Sequence, residues 1–239
     1  MRNIGIILAG GSGTRLGSAV PKQFLTLAGK TVLEHSVDTF QGHSLIDEIV
    51  IVCASEWIGK VGQIAGEKAW NKVKHIIPGG AERYLSSLNA MELYRDEPEC
   101  NLIFHDAARP LVSARIITDT IHALDKWQAV DVAVPATDTV VRTLQGQQTI
   151  AEIPDRSLLY CEQTPQGFRK SVIEEAYRIA SQDPHFKSTD DCGTVVKYLP
   201  GVPVFLVRGE QANMKLTYPE DIPVLEALYG IQKNPETYL

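Results

Sequence analysis

The chemistry this chain can perform is concentrated in a few short segments. Leu8 to Gln23 reads LAGGSGTRLGSAVPKQ. An apolar run ends there in Ala9-Gly10-Gly11-Ser12-Gly13-Thr14-Arg15. Small residues let a backbone approach a phosphate chain closely, so that its N–H groups donate to it. Arg15 and Lys22 add fixed positive charge beside such a ligand. Taken alone, the glycines are equally well explained by a tight strand-to-helix turn. The G-x-x-x-x-G-K-[ST] phosphate loop is absent. The dinucleotide pattern also fails, because Leu16 stands where its third glycine is needed. The segment therefore reads as a different phosphate cradle.

Further on, Asp106 follows the apolar run NLIFH, at the carboxyl end of a strand, where open α/β sheets bind ligands. A carboxylate there can hold Mg²⁺ against phosphate oxygens; a helix cap is the plain alternative. Arg109 lies three residues on, within reach of a phosphate. His105 reads as a packing or orienting residue, because a phosphate monoester is already an anion at neutral pH and needs no base. Lys215 and Thr217, two apart in the strand-like NMKLT, share a face. Arg156 suits bidentate phosphate binding. Thr164 in QTPQ and Thr189 and Asp190 in STDD border the same set, Thr189 also reading as a helix N-cap. Asp221, after Pro219, stands near a helix start, where a carboxylate can cap.

These residues need a scaffold, and the chain supplies one. Short apolar runs alternate with amphipathic stretches. Strands are expected at 4–10, 47–53, 75–80, 101–107 and 129–136. Helices are expected at 31–40, 56–70, 82–94 and 114–126. Such alternation implies a mainly parallel sheet covered on both faces. From Asp138 to Gln166 the rhythm changes to short β-like pieces with a turn at Gln145–Gln147, which reads as an antiparallel arm. Helices resume at 171–181, at Thr189 and after Pro219, with a strand at 202–209.

The 239 residues suit one large domain, spanning 1–239 and carrying an arm at about 138–166. A formal net charge of −6 argues against nucleic acid or an anionic membrane surface as partner. The four cysteines include no C-x-x-C pair, so neither zinc nor a disulfide framework is indicated. The N-terminal apolar run is too short for a membrane span or a signal peptide, and a cytoplasmic location follows.

LAGGSGTRLG…PKQ resembles the signature of the sugar-nucleotide pyrophosphorylases, and within them the cytidylyltransferases of methylerythritol phosphate and ribitol 5-phosphate. GGAERYLSSL (79–88), HDAARP (105–110), PATDT (135–139), IPDR (153–156), QTPQGF (163–168), STDDCG (188–193) and NMKLTYPED (213–221) resemble family blocks in the family's order. EIPDRSLLYCEQTPQGF, TDDCGTVVKYLPG and GEQANMKLTYPED lean toward the ribitol branch. The resemblance implies an α/β, Rossmann-like, GT-A-like nucleotidyltransferase with a mainly parallel central sheet and a protruding β-arm. Its substrates would be CTP and a polyol phosphate, its cofactor Mg²⁺.

In that frame Arg15, Lys22 and Lys215 are catalytic. Leu8, Ala9, Gly10, Gly11, Gly13, Thr14, Gly80, Arg83, Ser86 and Ala107 bind the nucleotide. Asp106 holds metal and polyol, with Arg109, Thr139, Arg156, Thr164 and Thr217 also on the acceptor; for Asp221 the resemblance implies a metal contact, equally balanced against the cap. The arm would exchange across a homodimer, carrying Thr139 and Arg156 to the partner's site. Two other classes stand against this reading: a nucleotide-binding regulator without turnover, and a nicotinamide oxidoreductase. Arg15, Lys22, Asp106 and Lys215 together exceed what binding alone requires, and the missing third glycine weighs against the oxidoreductase.

Overall fold

The computed structural model describes residues 1–11, 20–188 and 190–233. Its centre is a seven-stranded sheet. The strands are β1 (Asn3–Ala9), β4 (Glu48–Cys53), β5 (Val73–Pro78), β6 (Asn101–Asp106), β7 (Ala129–Pro135), β10 (Tyr160–Arg169) and β11 (Val204–Arg208). They lie in the order β11-β7-β10-β6-β1-β4-β5. All neighbours run parallel except β10, which is antiparallel to both β6 and β7.

Alternation along the strands splits the core in two. Ile7, Ile49, Ile51 and Ile103 face one layer of helices: α1 (Val32–Gly42), α2 (Ile58–Glu67) and α4 (Ala114–Ala123). Ile6, Leu8, Val50, Val52, Leu102 and Phe104 face the other: α3 (Arg83–Glu92), α5 (Lys170–Ala180) and α6 (Asp191–Tyr198). Gly5 is needed on the first face, since a Cβ there would meet Phe40 Cδ1 at 2.6 Å. Thr31 and Glu34 close a capping box that starts α1. A small β2–β3 ribbon (Thr26–Leu27 and Lys30–Thr31) precedes it. α7 (Asp221–Lys233) buries Leu225 in a third cluster with Leu27, Val32, Leu111 and Leu216.

Three expectations change. The arm does not run to Gln166: it comprises β8 (Arg142–Thr143) and β9 (Ile150–Glu152), and from Tyr160 onward the chain is inside the main sheet. The segment pairs on both sides with strands distant in sequence, and its own pattern carries no trace of them. Helix α6 is capped by Asp190, whose side chain accepts from Gly193 N–H, and Thr189 lies outside the described residues. NMKLT is irregular, not a strand. It is pinned by the Leu216 N–H bond to the Ala108 carbonyl, 2.8 Å.

Candidate active site

β1, β4, β5 and β6 end on the same side of the sheet, and the loops leaving β1, β5 and β6 surround a cleft of about 470 Å³. Its walls carry Leu8, Ala9, Gly10 and Gly11 from the end of β1, and Lys22 from the short 3₁₀ turn Lys22–Phe24. Gly80, Arg83 and Ser86 come from the start of α3. Asp106 and Ala107 come from the end of β6, and Lys215 from the NMKLT segment. The turn bearing Lys22 is anchored by Phe24, which is buried against Trp57 with ring centroids 4.9 Å apart. Lys22 Nζ donates to the Leu216 carbonyl, 3.3 Å. Gly13, Thr14 and Arg15 lie outside the described residues.

Asp106 is the electrostatic centre. Lys215 Nζ donates to its Oδ2 at 2.6 Å, and Arg83 Nε to its Oδ1 at 3.3 Å. Burial opposes the charge on Asp106. Arg83 and Lys215 outweigh that and hold the carboxyl far below the usual range, so it is ionised throughout neutral pH. Arg83 also donates from Nη1 to Oδ2 of the fully buried Asp191, 2.6 Å. The result is an alternating series, Asp191, Arg83, Asp106, Lys215, running from α6 into the cleft.

Behind the cleft, His105 is wholly buried, and burial lowers its pKa to about 4, so the ring is neutral. Its Nε2 contacts the Arg109 carbonyl at 3.1 Å, and only an N–H can make that bond. Nδ1 then accepts from the Thr164 hydroxyl, 3.0 Å, which in turn accepts from Asp106 N–H, 3.1 Å. His105 and Thr164 thus orient the backbone of Asp106 and stand behind it.

Not every expected residue faces the cleft. Arg109 is bound by carbonyls: Nη1 donates to Asn213, 2.9 Å, and Nη2 to Glu162, 3.1 Å, which ties the NMKLT segment to β10. Thr217 donates its N–H to Asp221 Oδ2, 2.7 Å, and Tyr218 does the same, 2.8 Å. Asp221 is therefore a cap at the start of α7. Thr139 and Arg156 sit at the base of the arm, where Arg156 Nη1 donates to the Thr137 carbonyl, 3.0 Å; neither lines this chain's own cleft. Asp191 and its support, Tyr177 and Gln166, were missed. The paired aspartates of STDDCG were a visible signal; Tyr177 gave none beyond its place on an amphipathic helix.

Among the described residues no helix is long and apolar enough to cross a membrane. The sequence profile for 2-C-methyl-D-erythritol 4-phosphate cytidylyltransferase, IspD, matches residues 4–230. The chain is 48% identical to the 2-C-methyl-D-erythritol 4-phosphate cytidylyltransferase of Thermobifida fusca, covering 93% of this chain and 91% of that protein. It is 45% identical to the bifunctional ribulose 5-phosphate reductase/CDP-ribitol pyrophosphorylase Bcs1 of Haemophilus influenzae, over 95% of this chain; that match spans 48% of the Haemophilus protein. The crystal structure of 4-diphosphocytidyl-2C-methyl-D-erythritol synthase from Anaerococcus prevotii superposes with a TM-score of 0.83 at 30% identity, over 96% of each chain. The cleft is thus set in the architecture of that synthase, and the chain belongs to the IspD family of cytidylyltransferases, which are nucleotidyltransferases.

Proposed function

We propose that the protein transfers a cytidylyl group from CTP to D-ribitol 5-phosphate, forming CDP-ribitol and pyrophosphate. One observation carries the assignment of the site. A backbone cradle at Gly10–Gly11, two lysines and one ionised aspartate converge on a single cleft at the carboxyl end of the sheet. In the reaction an oxygen of the acceptor phosphate bonds to the α-phosphorus of CTP. The bond from that phosphorus to the bridging oxygen breaks, and pyrophosphate carries the electron pair away. Two anions must meet, so catalysis is positioning and charge neutralisation, without a covalent enzyme intermediate.

Lys22 reaches the cleft from the rim beside the cradle, where the leaving phosphates would lie. Lys215 stands beside Asp106, placed to neutralise the oxygens of the attacking and attacked phosphates together. Gly80, Ser86 and Arg83 line the opposite wall and form the slot for base and ribose. Asp106 offers the hard oxygen donor that Mg²⁺ takes, and nucleotide phosphates complete such a shell, so the residues fit the ion. When bound there, Mg²⁺ supplies positive charge to the phosphate oxygens.

We further propose a homodimer in which the arm reaches the neighbouring site. Thr139 and Arg156 lie away from their own cleft, and the arm with its base exposes Val141, Leu144, Ile150, Ile153 and Leu158, apolar surface that a lone subunit would rarely leave open. The choice of ribitol rests on the sequence blocks noted above and on the likeness to the CDP-ribitol pyrophosphorylase. Methylerythritol 4-phosphate is the second reading, favoured by the Thermobifida relative. Pyrophosphate release with CTP, Mg²⁺ and each acceptor in turn separates them. Turnover only with methylerythritol phosphate would overturn the acceptor and keep the chemistry; silence with both would overturn the reaction.

A further inference from the structure

Arg83 is the cleft residue whose position depends on something outside the cleft. Its contact with Asp191, 2.6 Å, is shorter than its contact with Asp106, 3.3 Å. Its Nη2 is buried with no partner among the described residues, so among them Nη1 and Nε alone hold the guanidinium. Asp191 is itself held on three sides. Its Oδ1 accepts from the Tyr177 hydroxyl at 2.6 Å, its backbone N–H donates to Gln166 Oε1 at 3.1 Å, and it opens helix α6 behind the Asp190 cap. Tyr177, 3% exposed, comes from α5 and packs edge-on against Phe186.

The geometry points to Asp191, braced by Tyr177, as a positioning residue that keeps Arg83 on the nucleotide wall and keeps Asp106 available to the substrates. Without the Asp191 carboxylate, Asp106 is the remaining anion within reach of Arg83. The guanidinium would collapse onto Asp106 and withdraw it from the phosphates and metal. The inference rests on the cleft being the CTP site proposed above.

The test compares Arg83→Gln, Asp191→Asn, Tyr177→Phe and the Arg83→Gln/Asp191→Asn double variant. Each is measured for KM of CTP, kcat and thermal unfolding midpoint. Asp191→Asn should raise KM for CTP by about tenfold, as expected for a hydrogen bond between charged groups. Tyr177→Phe, which removes one hydroxyl, should raise it about threefold. The double variant should be no worse than Arg83→Gln alone, because Asp191 acts through Arg83. Losses that multiply in the double variant, or a lowered midpoint with unchanged KM, would show a merely structural role and overturn the inference. If Asp191→Asn fails to fold, Tyr177→Phe decides: an unchanged KM overturns the inference. A loss in Arg83→Gln with none in Asp191→Asn sinks this inference alone, whereas an active, unchanged Arg83→Gln sinks the site assignment beneath it.

Discussion

Lys215 Nζ lies 2.6 Å from Asp106 Oδ2 across a sequence separation of 109 residues. One backbone bond brings them together: Leu216 N–H donates to the Ala108 carbonyl, stitching the NMKLT segment to the loop that follows β6. The cation and the anion are thus carried by two adjacent stretches of backbone, and their registration does not rely on long side chains finding each other.

Lys215→Ala should lower kcat by about 10² to 10³, the range for removing one preorganised charge from a transition-state site. Asp106→Asn should also raise the Mg²⁺ concentration needed for half-maximal rate. Steady-state rates across a magnesium series check both; an unaltered magnesium dependence in Asp106→Asn would remove it as the metal's ligand.

Gly80 should tolerate no side chain. An added Cβ would lie 2.2 Å from Leu85 Cβ and 3.2 Å from the Leu85 backbone carbon, and backbone cannot swing aside. Gly80 N–H also donates to Ser86 Oγ, 3.1 Å, so a shift there moves the wall of the cleft. Gly80→Ala is expected to raise KM for CTP more than it lowers the unfolding midpoint. Kinetics and a melting curve on one preparation are enough to tell.

Arm exchange has a signature in mixed subunits. Arg156→Ala and Lys215→Ala should each be nearly inactive. Mixed and allowed to exchange, they should recover roughly a quarter of wild-type activity, because half the dimers then hold one intact site. No recovery, with exchange verified by mass, would place Arg156 in its own chain's site or outside any site.

The stability of the fold should depend on pH through Asp131. This carboxylate is buried, and burial, with the charge of Asp190 added, raises its pKa above 3.8 despite hydrogen bonds from Val132 N–H and Gln166. The folded state therefore keeps the proton to higher pH than the unfolded state does. The associated stability is complete at acid pH and is lost as pH rises through the raised folded value. Asp131→Asn should flatten the unfolding midpoint between about pH 4 and pH 6 and equal or exceed wild type at the upper end. A wild-type midpoint that climbs over that range and a variant that follows it would refute the assignment.

The parallel strands and most helices were legible because their signals are local. β1, for example, is buried throughout, and its run of apolar residues ending in glycines states both the strand and its exit toward a ligand. Asp106 was legible for the same reason, as the last residue of such a run. β10 was not. A proline and a glycine interrupt it at Pro165 and Gly167, features that argue against a central strand, and its register with β7 shifts between Gln163 and Gly167.

The sequence by itself determined the alternating α/β order, the glycine-rich exit from β1 and the charged residue types at strand ends, since each depends on neighbours a few positions apart. Only the tertiary structure decided which of those charges meet. Arg83 with Asp191, Lys215 with Asp106 and Arg109 with the Asn213 carbonyl are all pairs more than a hundred residues apart. Their partners are set by how loops pack at the carboxyl end of the sheet, and no local periodicity encodes a distance across it.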